Sequence, residues 1–202
     1  MAVKNPTLDP VIIQAARAEF LEFGFQKASL HKIAQRAGIT TGALYTRYKS
    51  KDDLFCSLVY PTLQQLGPQI GPIQALYEKA HTLRTPEALL AAIRAEEKLY
   101  LDLLFENYDT CVLFFCKSAG SSLEQSMNRM MAEKARQTVE FFRSMARQDL
   151  DFAGVELIMS QQFAYYRQIL LKGYTREKAV SCMETVDLFL EAGWKAILDR
   201  IL

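Results

Sequence analysis

The stretch SLHKIAQRAGITTGALYTRY, residues 29–48, decides how the N-terminal part of the chain folds. Apolar residues at helical spacing predict one short helix from Ser29 and a second from Thr40 or Thr41. Gly38 ends the first helix, because glycine tolerates the left-handed backbone of a helix end. Two short helices joined by such a turn are typical of a helix-turn-helix.

The start of the second helix is small and hydroxylic. Thr41, Gly42 and Ala43 let the backbone approach another molecule closely, and the free N–H groups of a helix N-terminus suit a phosphate. In helix-turn-helix proteins the second helix enters the major groove of duplex DNA. The segment therefore predicts a DNA-binding head.

The residues around this segment resemble the DNA-binding head of TetR-like transcriptional repressors. The likeness runs in register and without a gap over about residues 10–56. It consists of IIQAARAEF at 12–20, GF at 24–25 and ASLHKIAQRAGITTGALYTRYKSKDDLF at 28–55. The rest of the chain resembles that family only in plan, as an all-helical regulatory body.

The resemblance implies roles for individual residues of the head. It implies that Thr40 caps the recognition helix, that Thr41 and Ala43 read base edges, and that Tyr45 and Lys51 contact phosphate. Ala43 stands where the family frequently has a hydroxyl residue, which removes one hydrogen bond but leaves contact with a thymine methyl. The DNA-binding residues expected on this basis are Ser29, His31, Lys32, Thr40, Thr41, Gly42, Ala43, Tyr45, Thr46 and Lys51.

The distribution of charge is a weak sign of a polyanion partner. The chain of 202 residues carries 24 Lys and Arg against 23 Asp and Glu, a net charge of +1. Residues 1–56 hold eight basic and five acidic residues, a net charge of +3, and the remainder carries −2. A basic head on an acidic body favours DNA binding at the N-terminus, although chance variation gives the same distribution.

Helical signals continue to the C-terminus and predict an all-α protein. We expect a helix-turn-helix DNA-binding domain at residues 1–50 and a larger helical regulatory domain at residues 51–202. The Gly and Pro cluster at 67–72 predicts a hinge after the fourth helix. Later helices are predicted over 122 to about 148 and over about 152–172.

The composition predicts a cytoplasmic protein without a metal or a cofactor. No apolar signal peptide follows Met1, and the four cysteines show no C-x-x-C spacing. Residues 54–77 are uncharged for 24 positions, but three prolines and two glycines there argue against a membrane helix.

No arrangement of residues predicts an enzyme. Glu78-x-x-His81 would need a second such pair to build a metal-carboxylate site, and the chain has two histidines. Cys111 and Cys116 lie on different sides of a helix, so a disulfide between them would require unwinding. The alternatives that stay open are a redox-sensing module and a ligand-binding helical module without DNA release.

The body is rich in aromatic and sulfur-containing side chains, which suit a flat or flexible apolar ligand. The resemblance implies a repressor that a small-molecule effector releases from DNA, and these side chains predict an apolar or aromatic effector. Such residues at helical spacing form a core more often than a pocket. The proposed pocket residues are Tyr100, Phe105, Cys111, Phe115, Met127, Met131, Phe141, Met159, Phe163 and Tyr166.

The last two predicted helices, within about residues 152–202, have apolar faces wider than one packing partner requires. They predict a homodimer with two interface helices from each subunit, and burial within the subunit is the alternative. A dimer is also expected because two heads related by a two-fold axis read a palindromic operator. The proposed interface residues are Ile158, Tyr166, Ile169, Met183, Val186, Leu190, Gly193, Trp194 and Ile197.

Overall fold

The computed structural model describes residues 8–147 and 151–201, and over those residues it is all-α, as the sequence predicts. A short 3₁₀ turn, Gly67–Ile70, lies between the fourth and fifth helices. The helices are α1 (Leu8–Lys27), α2 (Leu30–Arg36), α3 (Thr41–Arg47), α4 (Lys51–Leu66), α5 (Gly71–Leu83), α6 (Pro86–Glu106), α7 (Tyr108–Cys116), α8 (Ser122–Met145), α9 (Ala153–Ser160), α10 (Gln162–Leu171) and α11 (Arg176–Ile201).

The chain divides into two compact units. The first unit is the described part of Met1–Gln64 together with Asp109–Met127. The second unit is Gln65–Tyr108 together with the described part of Asn128–Leu202. This division differs from a boundary after residue 50, because most of α4 and α7 belongs to the first unit.

The core of the first unit is built around three phenylalanines. Phe20 of α1 lies edge-on to Phe55 of α4, with ring centroids 4.8 Å apart, and Phe25 lies 5.3 Å from Phe55. Leu113 and Phe114 of α7 are buried in the same cluster. The first three helices therefore share their core with α4 and α7, which explains the later boundary.

α1 is kinked at Gly24. The φ angle of Gly24 is 71°, in a region that glycine adopts without a steric penalty. The N–H of Phe25 leaves the helical pattern and donates to the carbonyl oxygen of Lys117 at 2.8 Å. A further helical turn then runs to Lys27, so the kink attaches α1 to the segment that follows α7.

The core of the second unit surrounds the single tryptophan of the chain. The indole of Trp194 stacks on Phe142, with ring centroids 5.3 Å apart. Leu89 of α6, Val155 of α9 and Leu198 of α11 are buried in the same cluster. This unit therefore packs α5, α6, α8, α9 and α11 around one aromatic pair.

The helix predicted over about 152–172 is two helices, α9 and α10. The break lies at Gln161, whose N–H donates to the carbonyl oxygen of Ile158 at 3.1 Å, a tighter turn than an α-helix makes. Apolar residues keep the helical period across the break, so periodicity alone does not reveal it. The predicted end of α8 near Gln148 lies outside the described residues.

The cluster at 67–72, predicted as a hinge, is mostly helical in the structure. The 3₁₀ turn leads directly into α5, because Pro72 occupies the first helical turn, where its missing N–H costs no hydrogen bond. Within residues 8–147 and 151–201, no helix combines the length and the apolar character needed to cross a bilayer.

Candidate functional site

Two acceptors fix the start of α2. The hydroxyl oxygen of Ser29 accepts the N–H of Lys32 at 3.4 Å, which is the predicted cap. The Oε1 atom of Glu19 in α1 accepts the N–H of Ser29 itself at 3.1 Å. Because Glu19 is 1% exposed, this second bond is made away from water. The N-terminal end of α2 is therefore attached to α1.

The turn between α2 and α3 is made by a glycine with a left-handed backbone, as the sequence predicts. Gly38 has a φ angle of 66°, and the N–H of Ile39 donates to the carbonyl oxygen of Ala34 at 3.0 Å. The Oγ1 atom of Thr40 then accepts the N–H of Ala43 at 3.1 Å and caps α3. These bonds confirm that both helices begin where the sequence predicts.

The solvent-facing side of α3, here called the outer face, consists of Thr41, Gly42, Ala43, Tyr45 and Thr46. Gly42, Tyr45 and Thr46 are exposed, and Thr41 and Ala43 are half-buried. The hydroxyl of Thr46 donates to the carbonyl oxygen of Gly42 at 3.0 Å, so its remaining capacity is to accept. The hydroxyl of Tyr45 stands on a ring that is 52% exposed. The outer face therefore presents small and hydroxyl groups to another molecule.

The glycine in this face is not required by the chain itself. A Cβ atom on Gly42 would meet nothing closer than Oγ1 of Thr40 at 3.9 Å, which is ordinary van der Waals contact. Gly42 also lies outside the set of glycines with positive φ. Packing and backbone conformation would both accept alanine there, so the missing side chain leaves room on the outside of α3.

Lys51, at the start of α4, is held close to the protein. Its Nζ atom donates to the carbonyl oxygen of Gln26 at 3.0 Å and lies 5.1 Å from the ring centroid of Phe25. Burial lowers the pKa of Lys51, against a smaller opposing effect of Glu19. An ammonium has three donors, so the bond to Gln26 leaves capacity for an anion such as phosphate.

Three further basic residues near α3 fall into two groups. His31 and Lys32 are exposed on α2, and the Nζ atom of Lys32 lies 5.0 Å from the ring centroid of Phe23. Arg47 is different, because its Nε atom lies 2.9 Å from Oδ1 of Asp9 and its side chain is only 10% exposed. Arg47 therefore holds α3 to α1.

The start of α4 carries a reciprocal cap. The Oγ atom of Ser50 accepts the N–H of Asp53 at 3.0 Å, and Oδ2 of Asp53 accepts the N–H of Lys49 at 2.9 Å. This arrangement resembles a capping box, although the carboxylate returns to Lys49 and not to Ser50. Next to it, Asp52 accepts both the N–H and the hydroxyl of Ser122, at 2.8 and 2.6 Å.

Sequence reasoning missed Glu19 and Asp52, the two carboxylates that position these helices. A signal for Glu19 exists, because it lies three residues after Ala16 and one before Phe20, beside the apolar stripe of α1. A carboxylate in such a place is expected to be buried and paired. No comparable signal exists for Asp52, whose partner lies 70 positions away.

The second unit contains a cavity of about 740 Å³. Its wall is mainly aliphatic and aromatic, with one buried carboxylate, Glu96, and one lysine, Lys134. Of the ten residues predicted to form a pocket, Phe141 and Met159 line this cavity. A volume of this size lies in the range of about 300–1,000 Å³ that small-molecule sites occupy.

Glu96 is the centre of a polar network at the cavity. It is 2% exposed and accepts from the hydroxyls of Tyr77 at 2.7 Å and Tyr100 at 2.9 Å. The Nζ atom of Lys134 lies 2.5 Å from the same carboxylate. Burial, with the neighbouring carboxylate, raises the pKa of both tyrosines, so both hydroxyls keep their protons and donate.

The other residues predicted for the pocket lie elsewhere. Tyr100, Phe163 and Tyr166 form an aromatic cluster with ring centroids 5.9 to 6.2 Å apart. Phe105 stacks on Tyr108 at 6.1 Å. Met131 is half-buried on α8 and does not line the cavity. The remaining three, Cys111, Phe115 and Met127, belong to the first unit, where Phe115 and Met127 pack against its core.

Four residues predicted for the dimer interface are buried inside the subunit. Tyr166, Ile169, Met183 and Trp194 are each less than 7% exposed, so their side chains have no surface to offer a partner. Ile158 and Gly193 are exposed, and the half-buried members are Val186, Leu190 and Ile197.

The sequence missed the most exposed apolar side chains of this region. They are Leu157 at 70%, Leu188 at 73% and Phe189 at 77% exposure, on α9 and α11. Together with Ile158 they are here called the exposed apolar surface.

None of the four cysteines forms a disulfide in the structure. Burial, with a smaller effect of Cys116, raises the pKa of Cys111 to about 11. A thiol with a raised pKa is a poor nucleophile at neutral pH, which weighs against a redox-sensing role for this pair. Among the described residues, no group of three His, Cys, Asp or Glu side chains is placed to hold a metal ion.

Comparison with known proteins gives matches of two kinds. Residues 12–58 match the family model described as "Bacterial regulatory proteins, tetR family". The chain is also 35% identical over 77 residues to the probable acrEF/envCD operon repressor of Escherichia coli strain K12. That match covers 34% of this chain and 35% of the repressor, so it spans about a third of that relative's length.

Solved structures extend the likeness of fold to nearly the whole chain. A TetR-like transcriptional regulator from Rhodococcus sp. RHA1 is similar with a TM-score of 0.60 and 16% identity, covering 95% of this chain and 99% of that one. The fatty acid degradation regulator FadR from Bacillus halodurans is similar with a TM-score of 0.55 and 19% identity, covering 92% and 98%.

Proposed function

We propose that this chain, a TetR-like transcriptional regulator, is a repressor that binds a palindromic operator as a homodimer. A small apolar or aromatic effector then releases it from DNA. The proposal places its action in the cytoplasm, where a bacterial operator lies. The 35% identity over 77 residues to a probable operon repressor supports repression in place of activation.

The outer face of α3 is the observation that carries the proposal. Its exposed glycine, hydroxyls and helix N-terminus match what a helix needs to approach a major groove and its phosphates. In the proposed complex, Thr41 and Ala43 read base edges. Thr40, Tyr45 and Lys51 hold the DNA backbone, and the missing side chain of Gly42 permits the close approach.

A dimer is proposed because one short helix reads too few base pairs for an operator. Two heads on a two-fold axis enter successive major grooves and double the sequence that is read. The exposed apolar surface, Leu157, Ile158, Leu188 and Phe189, is the surface we assign to subunit contact. An isologous interface of this kind uses the same patch on both subunits.

The effector acts by stabilising one of two arrangements of the dimer, the one that cannot bind DNA. A ligand shifts this equilibrium only by the difference between its affinities for the two arrangements. A preference of about 100-fold for the arrangement that cannot bind DNA corresponds to roughly 3 kcal/mol of coupling, which is within the range that proteins use. The cavity of the second unit is the proposed effector site.

Two alternatives predict different behaviour. A ligand-binding module without DNA release would fold and dimerise but select no DNA sequence. A redox sensor would respond to oxidant through Cys111 and Cys116. The purified protein is incubated with a random pool of duplex DNA, and bound duplexes are amplified over several rounds. We expect an enriched palindrome, and a folded dimer that enriches no sequence would contradict the proposal.

A further inference from the structure

The charge of the cavity is balanced before any ligand enters. Glu96 is the buried carboxylate of the wall, and Lys134, 24% exposed along its side chain, is the cation that pairs with it at 2.5 Å. Tyr77 and Tyr100 each donate a hydroxyl proton to the same carboxylate. Three donors and one opposite charge satisfy Glu96, so it does not require a ligand of its own.

Lys134 is the group in this network with donor capacity left. Its ammonium has three N–H donors, and the contact with Glu96 uses one of them. The ammonium also lies 5.4 Å from the ring centroid of Tyr77, which stabilises its charge without using a donor. Because Lys134 lines the cavity, its remaining donors are available to a hydrogen-bond acceptor that enters it.

Part of the cavity wall is aromatic. Phe141 lies edge-on to Tyr77 at 5.6 Å between centroids, and Trp194 stacks on Phe142 at 5.3 Å. All four of these side chains line the cavity. Aromatic rings arranged in this way favour a flat ring system that packs against their faces and edges.

We infer that the cavity takes an uncharged aromatic molecule that presents a hydrogen-bond acceptor, such as a ketone oxygen, to Lys134. A cationic ligand would have to displace Lys134 from Glu96. An anionic ligand would leave the buried site with an extra negative charge beside Glu96. Each costs more than placing a neutral ligand beside a neutral pair, because uncompensated charge is expensive in a buried site.

This inference rests on the proposed function only in identifying the ligand as the effector. Binding to the cavity is measured without DNA. A protein that binds the ligand but selects no operator would remove the repressor proposal and keep this one. A protein that selects an operator but does not bind the ligand would keep the repressor proposal and remove this inference.

The single tryptophan makes the test direct, since Trp194 lines the cavity. The probe is Prodan, an uncharged naphthyl ketone that absorbs where tryptophan emits. Energy transfer from Trp194 to Prodan therefore reports how much of the cavity is occupied. The carboxylate and trimethylammonium analogues of the same naphthalene are measured by competition against Prodan. We expect saturable transfer to Prodan and affinities at least about tenfold weaker for both charged analogues, a difference of one decade in Kd.

Two substitutions reverse the preference if the charge argument is correct. Lys134→Met removes the donor and leaves Glu96 without a cation. The affinity for Prodan should therefore fall about tenfold, and the affinity for the cationic analogue should rise above that of wild type. Glu96→Gln leaves Lys134 without an anion, so the affinity for the anionic analogue should rise above that of wild type. Lys79→Met is the matched control, because Lys79 is exposed on α5 and lies outside the cavity wall. It should change none of the three affinities.

A purely structural role for the ion pair predicts a different pattern, in which both substitutions weaken all three probes alike. That pattern, or a wild-type protein that prefers either charged analogue, would overturn the inference. So would the absence of saturable energy transfer from Trp194. If one variant fails to fold, the ranking of probes on the wild type and the other variant still decide the question.

Discussion

The buried Oε1 atom of Glu19 accepts the backbone N–H of Ser29 at 3.1 Å, and this bond attaches α2 to α1. Its second oxygen lies 3.6 Å from the guanidinium of Arg36, at the other end of α2. One carboxylate therefore touches both ends of the first helix of the pair. The orientation of α2, and of α3 beyond the turn, depends on a residue outside the helix-turn-helix itself.

Replacing Glu19 should destabilise the first unit. Glu19→Ala leaves the Ser29 N–H without its acceptor, and the loss of a buried partner costs about 1–3 kcal/mol. Chemical unfolding followed by circular dichroism measures this. Glu22→Ala is the matched control, since Glu22 also pairs with Arg36 but is 58% exposed. An exposed pair contributes about 0–1 kcal/mol. Equal losses in the two variants would contradict a special role for Glu19.

Replacing Gly42 should separate stability from DNA binding. Gly42→Ala adds a methyl group where the chain has room and raises helix propensity, so stability rises by about 0.4–1 kcal/mol. The same methyl group occupies the space through which α3 approaches DNA, so affinity for the selected operator should fall about tenfold, or 1.4 kcal/mol. Gly71→Ala, also in open space at a helix start, should leave DNA binding unchanged. An unchanged operator affinity for Gly42→Ala would show that α3 does not need the space beside Gly42 to bind DNA.

Lys51 should contribute attraction that does not depend on sequence. Lys51→Ala removes one phosphate contact, so every duplex is bound more weakly. The slope of log K against log salt becomes shallower by about one unit. Fluorescence anisotropy over a series of salt concentrations measures the slope. Lys79→Ala, a lysine of the second unit, should leave it unchanged. If the slope stays the same in Lys51→Ala, Lys51 makes no phosphate contact and only contacts the carbonyl oxygen of Gln26.

The second unit should lose stability as pH rises toward 8. Glu97 of α6 is buried, and burial first, with Asp187 of α11, raises its pKa to about 8. Glu96 adds to this effect and Arg94 opposes it. The native state therefore keeps a proton that the unfolded chain releases at lower pH. The resulting stability is complete below the ordinary glutamate pKa and is lost as pH rises through about 8.

Glu97→Gln should remove this dependence, because an amide keeps the hydrogen-bonding shape of a protonated carboxyl group. The measurement is the Tm of wild type and variant from about pH 5 to pH 9. Wild type should lose Tm over that interval, and the variant should be the more stable protein at its upper end. Glu106→Gln, at an exposed carboxylate of the same helix, serves as the control and should follow wild type. A variant that follows the wild-type curve would show that Glu97 does not hold the proton.

The parts of the structure that the sequence predicted are those that local interactions determine. Ser29 and Thr40 cap α2 and α3 through atoms three residues away, and a single glycine makes the turn between the helices. Each of these signals is complete within a few positions of the sequence. The family resemblance then extends the assignment to the whole head.

The cavity could not be predicted in the same way, because its wall is assembled from distant helices. Met127 and Phe141 look alike in sequence, since both are large apolar residues of α8. The structure places Met127 against the core of the first unit and Phe141 in the cavity wall of the second. The pairing of Glu96 with Lys134 likewise joins positions 38 apart, which no periodicity reveals.

The central claim is that the outer face of α3 reads base edges, and parallel selections test it most directly. Wild type and Thr41→Val are each selected against the same random pool of duplex DNA. Valine keeps the shape of threonine but removes the hydroxyl. We predict that both proteins enrich a palindrome with the same spacing of half-sites. The preference of the variant should change at one base pair in each half-site, by about 1–3 kcal/mol. Identical motifs from the two proteins, or no motif from folded wild type, would contradict the account.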